Sequence, residues 1–251
     1  MGKTIIYALF IILSSSLLQA QSSILLDEKA QHEAVKEAVR DFLGNPENLE
    51  VDLVSPENRK PGHFKEMSIR MRDTTVKTLR LRYAWIKLSD CAISLKELSQ
   101  KKKLRFITQG KADLVGYIHE DDLNALFKLH SKALRVQGPK FDFLPSRLRF
   151  SGRVLTRLFS SFLTVEGKLS VKKKTQVHFH PQRMRTKWFS VPQYVVRKLA
   201  SAINPIADFS AFKFDVAVDF LETTDEHLFM ATDAMREELE KIQEELDKKN
   251  D

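Results

Sequence analysis

The chain has 251 residues, is 43% hydrophobic and 29% charged, and carries a formal charge of +8. Those values describe an ordinary folded protein, long enough for one large domain or two small ones and for a sizeable core. A single cysteine, Cys91, excludes an intramolecular disulfide, so stability must come from packing.

The charge is uneven. Residues 233–251 hold eight Asp and Glu against four Lys and Arg, a net of −4, so the chain before them carries +12. A basic body suits an anionic partner, nucleic acid or phospholipid head groups, and equally a lysine-rich soluble surface.

The first segment, "MGKTIIYALFIILSSSLLQAQSS", has one lysine, an apolar stretch from Ile5 to Leu18 and small residues near Ala20. That layout predicts a secretory signal peptide over residues 1–20, cleaved after Ala20. The stretch is short for a spanning helix, which needs about 20 residues. An exported protein is not expected to meet nucleic acid.

Ala34, Val35, Ala38, Val39 and Phe42 form an i, i+4 stripe that predicts a helix, ended by Gly44 and Pro46. Strands dominate from Leu49. "LEVDLV" and "EMSIRMR" alternate, and "TTVKTLRLRYAWIKLSDCAISL" runs on without glycine or proline, with Cys91 filling space. "LRFITQGKADLVGYI" reads as one strand whose glycines mark a bend. "HEDDLNALFKLHSKAL" reads as a helix with Glu120, Asp121 and Asp122 at its positive end. "SRLRFSGRV", "FLTVEGKLSVK" and "TQVHFHP" alternate as strands. In "FSVPQYVVRKLASAI" Pro192 sits in a first helical turn and Val195, Val196, Leu199 and Ile203 form the stripe. Pro205 pushes Asn204 out of helical conformation and stops this helix. A long strand is expected after it, with Phe212, Phe214, Val216, Val218 and Phe220 on one face, followed by a turn and a return through "HLFMAT". The tail, residues 233–251, is a charged helix with Met235, Leu239, Ile242 and Leu246 at 4-3-4 spacing. That seam suits docking on the body or pairing with a partner.

The order predicts one α+β domain, residues 21–232, with helices on one face of a strongly curved antiparallel sheet, plus the acidic C-terminal helix. No serine-nucleophile, zinc-protease, phosphate-loop or paired-cysteine pattern is present, so neither catalysis nor a cofactor is expected. His178 and His180 point to one side of a strand, but two imidazoles without a nearby carboxylate do not complete a metal site. The acidic trio 120–122 matches a helix start better than a catalytic carboxylate pair. Lys101, Lys102 and Lys103, and Lys172, Lys173 and Lys174 with Arg183 and Arg185, form basic clusters that suit a solvated surface or an anionic bilayer.

Four stretches taken together resemble the LmeA-like phospholipid-binding family, whose fold belongs with the tubular lipid-binding (TULIP/SMP) proteins. They are "VSPENRKPGHFKEMSIRM", "TVKTLRLRYAWIKLSDCAISLKEL", "GKADLVGYIHEDDLNALF", with its Leu123–Asn124 pair, and "FSVPQYVVRKLASAINPIADFSAFKFDVAVDF". The N-terminal helix is longer than the family pattern, and the acidic tail has no counterpart in it. The resemblance implies a curved sheet wrapped around helices, with an apolar crevice for acyl chains. Phe127, Val195, Leu199, Ile203, Phe212, Phe214, Val216 and Val218 are then the candidate lining; the same residues would also suit a solid core. The implied protein is exported, non-catalytic and soluble. It would hold phospholipid or a similar amphiphile and carry or present it in the cell envelope, docking peripherally on anionic membrane through the lysine clusters. The other reading is an interaction scaffold that recruits an envelope partner through its C-terminal helix. Oligomeric state is not legible.

Overall fold

The protein is α+β, and its strand pairs are mostly antiparallel. The structure is a computed structural model that describes residues 27–250 apart from 59, 77–78, 135, 156–159, 187–199, 202 and 212–213. The chain divides into two compact units: the described parts of Met1–Ile69 with Leu88–Lys111, and of Arg70–Lys87 with Ala112–Asp251. The long strands β2 (His63–Val76) and β3 (Leu79–Ile93) contribute a half to each.

In the first unit, helix α1 (Glu28–Phe42) begins at Asp27, whose carboxylate accepts from the Lys29 N–H at 3.2 Å. Its buried stripe is Gln31, Val35, Ala38 and Val39. Strand β1 (Asn48–Val54) lies beside β2, and β2 beside β3. Helix α2 (Leu95–Lys101) is capped by Ser94 and ends on Lys102 in the left-handed region. The expected strand through "LRFITQGKADLVGYI" divides at Gly110 into β4 (Phe106–Thr108) and β5 (Lys111–His119). Gly110 has φ +67, and a Cβ there would lie 1.8 Å from the Ser89 carbonyl, so only glycine fits.

In the second unit, β2 and β3 continue into the order β2-β3-β5-β12-β11, where β11 is Phe220–Thr223 and β12 is His227–Ala231. Ala112 to Gly116 and Leu228 to Ala231 are all buried, so β5 and β12 are covered on both faces. One covering layer is the C-terminal helix α4 (Arg236–Asn250). Leu239, together with Met235 just ahead of the helix, is buried against Val115, Phe229 and Ala231. Ile242 and Leu246 pack on the same cluster with Tyr83, Trp85 and Tyr117. The 4-3-4 seam therefore docks on the protein's own sheet.

The second sheet has the order β10-β9-β8-β7-β6, from β6 (Val136–Leu144), β7 (Arg147–Leu155), β8 (Ser160–Lys172), β9 (Gln176–Thr186) and the two-residue β10 (Ala207–Asp208). Its buried face carries Phe141, Phe143, Leu148, Phe150, Leu163, Val165, Val177 and Phe179. Helix α3 (Glu120–Leu134) lies along β6, with the Phe127 ring 4.3 Å from that of Phe141.

Both edges of this sheet are closed by asparagine side chains. The Phe141 N–H donates to Asn124 Oδ1 (2.7 Å), and Asn124 Nδ2 donates to the Phe141 carbonyl (2.9 Å). At the opposite edge the Phe179 N–H donates to Asn204 Oδ1 (2.7 Å), and Asn204 Nδ2 donates to the Phe179 carbonyl (2.9 Å). A carboxamide has one donor and one acceptor side, so it substitutes for a strand residue.

The long strand expected after Pro205 is not a regular ladder. Residues 209–211 form a 3-10 turn, and residues 214–219 bend at Phe214, whose carbonyl accepts the Val216 N–H at 2.9 Å, with only an isolated bridge, Val216 to Ala112. Their amides bond to separate partners: Val218 N–H to the Lys174 carbonyl (2.7 Å) and Asp219 N–H to that of Ala231 (3.0 Å). The alternation survives as burial, with Phe214, Val216 and Val218 inside and Asp215 and Asp219 exposed.

Asn124→Ala and Asn204→Ala should each cost about 2 kcal/mol, for two lost hydrogen bonds and an edge peptide left unpaired. Urea unfolding measures this; a change below about 0.5 kcal/mol would contradict the edge-closing role. Leu239→Ala should cost about 3 kcal/mol if the α4 seam is core, and almost nothing if the helix stands free.

Candidate functional site

The expected lining residues divide into two groups. Phe127, Ile203, Phe214, Val216 and Val218 are each 5% exposed or less, inside the second unit. Val195, Leu199 and Phe212 lie outside the described residues, as do residues 1–20.

A cavity of about 280 Å³ opens within the second unit, and none of the candidate lining residues is in its lining, though Phe220 of the expected apolar face is. Its lining is Leu169 of β8, Ser146 of the β6–β7 turn, Phe220, Leu221, Glu222 and Thr223 of β11, and Leu228 of β12. The volume is close to the lower end of small-molecule sites, about 300 Å³. Leu169, Phe220, Leu221 and Leu228 bring apolar side chains to the lining, and Ser146, Glu222 and Thr223 bring polar ones. A lining of both characters fits an amphiphile.

The wall is held by hydrogen bonds that bypass regular strand pairing. Thr223 Oγ1 donates to the Leu144 carbonyl at 2.7 Å, and the Ser146 N–H donates to the Thr223 carbonyl at 3.1 Å. Helix α4 supports it from the other side: the Arg236 guanidinium lies 4.9 Å over the Phe220 ring, and Gln243 Nε2 donates to Glu222 Oε2 at 3.2 Å.

The polar candidates resolve into ordinary partners. Glu120 Oε2 accepts the Phe143 N–H at 2.7 Å, extending the closure of the β6 edge, and Asp122 is buried against Arg82. Asp121 is exposed, so the acidic trio forms no carboxylate pair. His180 Nε2 bonds to Ser170 Oγ (2.7 Å) and His178 Nε2 to Gln176 Oε1 (3.4 Å). Burial pushes the Cys91 thiol up to about 11, which leaves it inert at neutral pH. Lys101, Lys102, Lys103, Lys172, Lys173 and Lys174 are all exposed. Of the first three, Lys101 pairs with Glu97, holding that carboxyl below its ordinary range.

One histidine cluster was invisible in sequence because its members lie far apart. His119 and His227 are direct cross-strand partners, and with Glu226 they bring candidate ligand atoms within 4.8 Å of one another. The Asp121 N–H donates to His119 Nδ1 at 3.2 Å, which places the imidazole proton on Nε2, the atom 4.0 Å from Glu226 Oε2. With Nδ1 engaged by a backbone N–H and the His119 and His227 rings 5.1 Å apart edge to face, the cluster is a hydrogen-bonded and aromatic contact.

His227 packs against Tyr117 and Phe229, and burial, with a smaller contribution from His119, lowers its pKa. The folded state therefore binds this proton more weakly than the unfolded chain. Stability should be fully present above the ordinary histidine value of about 6.5 and decline as pH falls through it. Thermal melts should show Tm level from pH 8 to 7 and falling towards pH 5.5. His227→Phe should flatten that part of the profile; an unchanged slope would contradict the assignment.

The family model described as LmeA-like phospholipid-binding matches residues 28–233, which takes in both sheets and every wall of the cavity. No curated protein and no solved structure matches. On the extent of the family match, the chain belongs to the LmeA-like phospholipid-binding family.

Proposed function

We propose that the protein is an exported, soluble lipid-binding protein that holds phospholipid, or a similar acyl-chain amphiphile, and carries or presents it in the cell envelope without catalysis. The observation that carries this reading is a cavity lined by both apolar and polar side chains in a chain of a phospholipid-binding family. Burying an acyl chain contributes about 0.8 kcal/mol per CH₂, so a few buried methylenes outweigh any single polar bond. The residue pattern of the first segment supports export, and the exposed lysines at 101–103 and 172–174 support approach to an anionic membrane. No described helix is long and apolar enough to cross a membrane.

Native mass spectrometry of the protein purified from cells should show co-purified lipid masses; a bare polypeptide mass would overturn the reading. Leu169 is only half-buried, so Leu169→Trp should fill the cavity and reduce lipid occupancy at least fivefold with Tm nearly unchanged. A loss of Tm with unchanged lipid content would mean that the wall is solid core.

A further inference from the structure

The five-stranded sheet is two-faced. Its inner side is phenylalanine-rich, and strand alternation turns a different set of residues outward. Cross-strand register lines up Asp142, Arg149, Glu166 and Arg183 in one row, and Lys140, Ser151, Thr164 and Arg185 in the next. Lys140 pairs with Asp142, and Arg149 bonds Glu166 at 3.0 Å. Two carboxylates of this face are thereby neutralised, and a third, Asp208 of β10, accepts from Gln176 Nε2 at 3.4 Å. Arg147, Arg153, Lys168, Lys172, Arg183 and Arg185 are exposed and make no ion pair among the described residues. Eight cations against three anions leave +5 on one sheet face, in a chain whose total is +8.

Two features give this face a direction. Phe162, 49% exposed, sits on it directly opposite Arg153. A large aromatic among arginines matches an interface where a ring enters the head-group layer while guanidinium groups hold phosphate. Arg147 follows Ser146 of the cavity lining, so the face meets the cavity at the β6–β7 turn.

We infer that the outer face of this sheet, through Arg147, Arg153, Phe162, Lys168, Arg183 and Arg185, docks the protein on an anionic lipid bilayer and brings the cavity to the head-group layer. This rests on the lipid-binding reading above and specifies the surface that meets the membrane. The exposed aromatic and the adjoining amphiphile cavity favour a bilayer over a nucleic acid, whose backbone would be served by the cations alone.

The test is co-sedimentation of the full chain with vesicles of phosphatidylcholine alone and with 30% phosphatidylglycerol, at low and high salt. Binding should require the anionic lipid and weaken as salt rises. Arg183→Glu with Arg185→Glu, in a protein with unchanged circular dichroism and Tm, should bind at least tenfold more weakly, since each basic residue near such a surface contributes about fivefold. Phe162→Ser should weaken binding at both salt concentrations. Unchanged binding of the double variant, loss of binding only when Lys101, Lys102 and Lys103 are replaced by Ser, or binding to duplex DNA without binding to vesicles would each overturn the proposal. Lipid co-purification of the same variants keeps the two ideas apart. Lipid retained without vesicle docking removes only this face, and docking without co-purified lipid removes only the cavity reading.

Discussion

The five-stranded sheet depends on two side-chain amides. A strand edge carries peptide groups that need partners, and here neither edge finds a full-length strand to supply them. At β6 the partner is helix α3, and the match is metric. Four helical residues rise about 6 Å, close to the roughly 6.8 Å spanned by two strand residues. Glu120 and Asn124 therefore meet Phe143 and Phe141 in step. The same registration sets Phe127 over the Phe141 ring. At β9, Asn204 continues the short ladder begun by Ile206 and Ala207, whose partner is Val177. Helical segments are thus pinned at both edges of the phenylalanine layer. The cavity lining adjoins both pins: Leu169 is the cross-strand partner of Phe179, and Thr223 ties β11 to Leu144, next to Phe143.

The opposed chemistry of the two faces hangs on one irregularity. β8 and β9 lose register between Glu166 and Gly167, where Gly167 faces Pro181 and Glu166 faces Arg183. A Cβ on Gly167 would lie 2.1 Å from the His180 carbonyl, so the close approach is available only to glycine. The extra residue moves β9 by one position, and a shift of one exchanges the faces of everything beyond it. Without it Gln182 and Met184 would continue the outer row begun by His178 and His180. With it Met184 turns inward, and Arg183 and Arg185 join the outer cations. One bulge thus adds two charges to the outer face and keeps an apolar side chain on the inner one.

Much of this was legible in the sequence, and the failures have physical causes. Periodicity found α1, α3 and the seam of α4, because each has one buried stripe and one wet face. The stop at Asn204 followed from the geometry before proline, but the work of the Asn204 side chain did not, since its partner lies 25 residues away. The face of Phe214, Val216 and Val218 was correctly assigned as apolar, yet alternation reports burial and not hydrogen-bond partners, so a chain bonded to Lys174, Ala112 and Ala231 in turn read as a strand. The strand through "TQVHFHP" was expected to end at Pro181, but it runs on to Thr186, because the bulge beside the proline lets the ladder resume at Arg183. The cavity was missed because its wall comes from β8, β11, β12 and a turn, each supplying residues that look unremarkable alone.

Helix α4 lies almost wholly beyond the family match, which ends at residue 233, yet it is joined to the cavity. Its first residue, Arg236, covers the ring of Phe220, and Gln243 bonds the carboxylate of Glu222, so two of the seven lining residues are held from behind by this helix. Its apolar seam is spent on Tyr83, Trp85, Tyr117 and Phe229, which leaves its acidic side for solvent. A partner recruited through α4 would therefore meet carboxylates rather than the seam, and a contact strong enough to pull the seam away would also release Phe220 and Glu222. The acidic side also sets an orientation. A helix with net negative charge is repelled by an anionic surface, whereas the arginine face of the five-stranded sheet is attracted to it. On the docking proposed above, the two charge distributions in one chain would favour the same pose, with β7, β8 and β9 towards the lipid and α4 away from it.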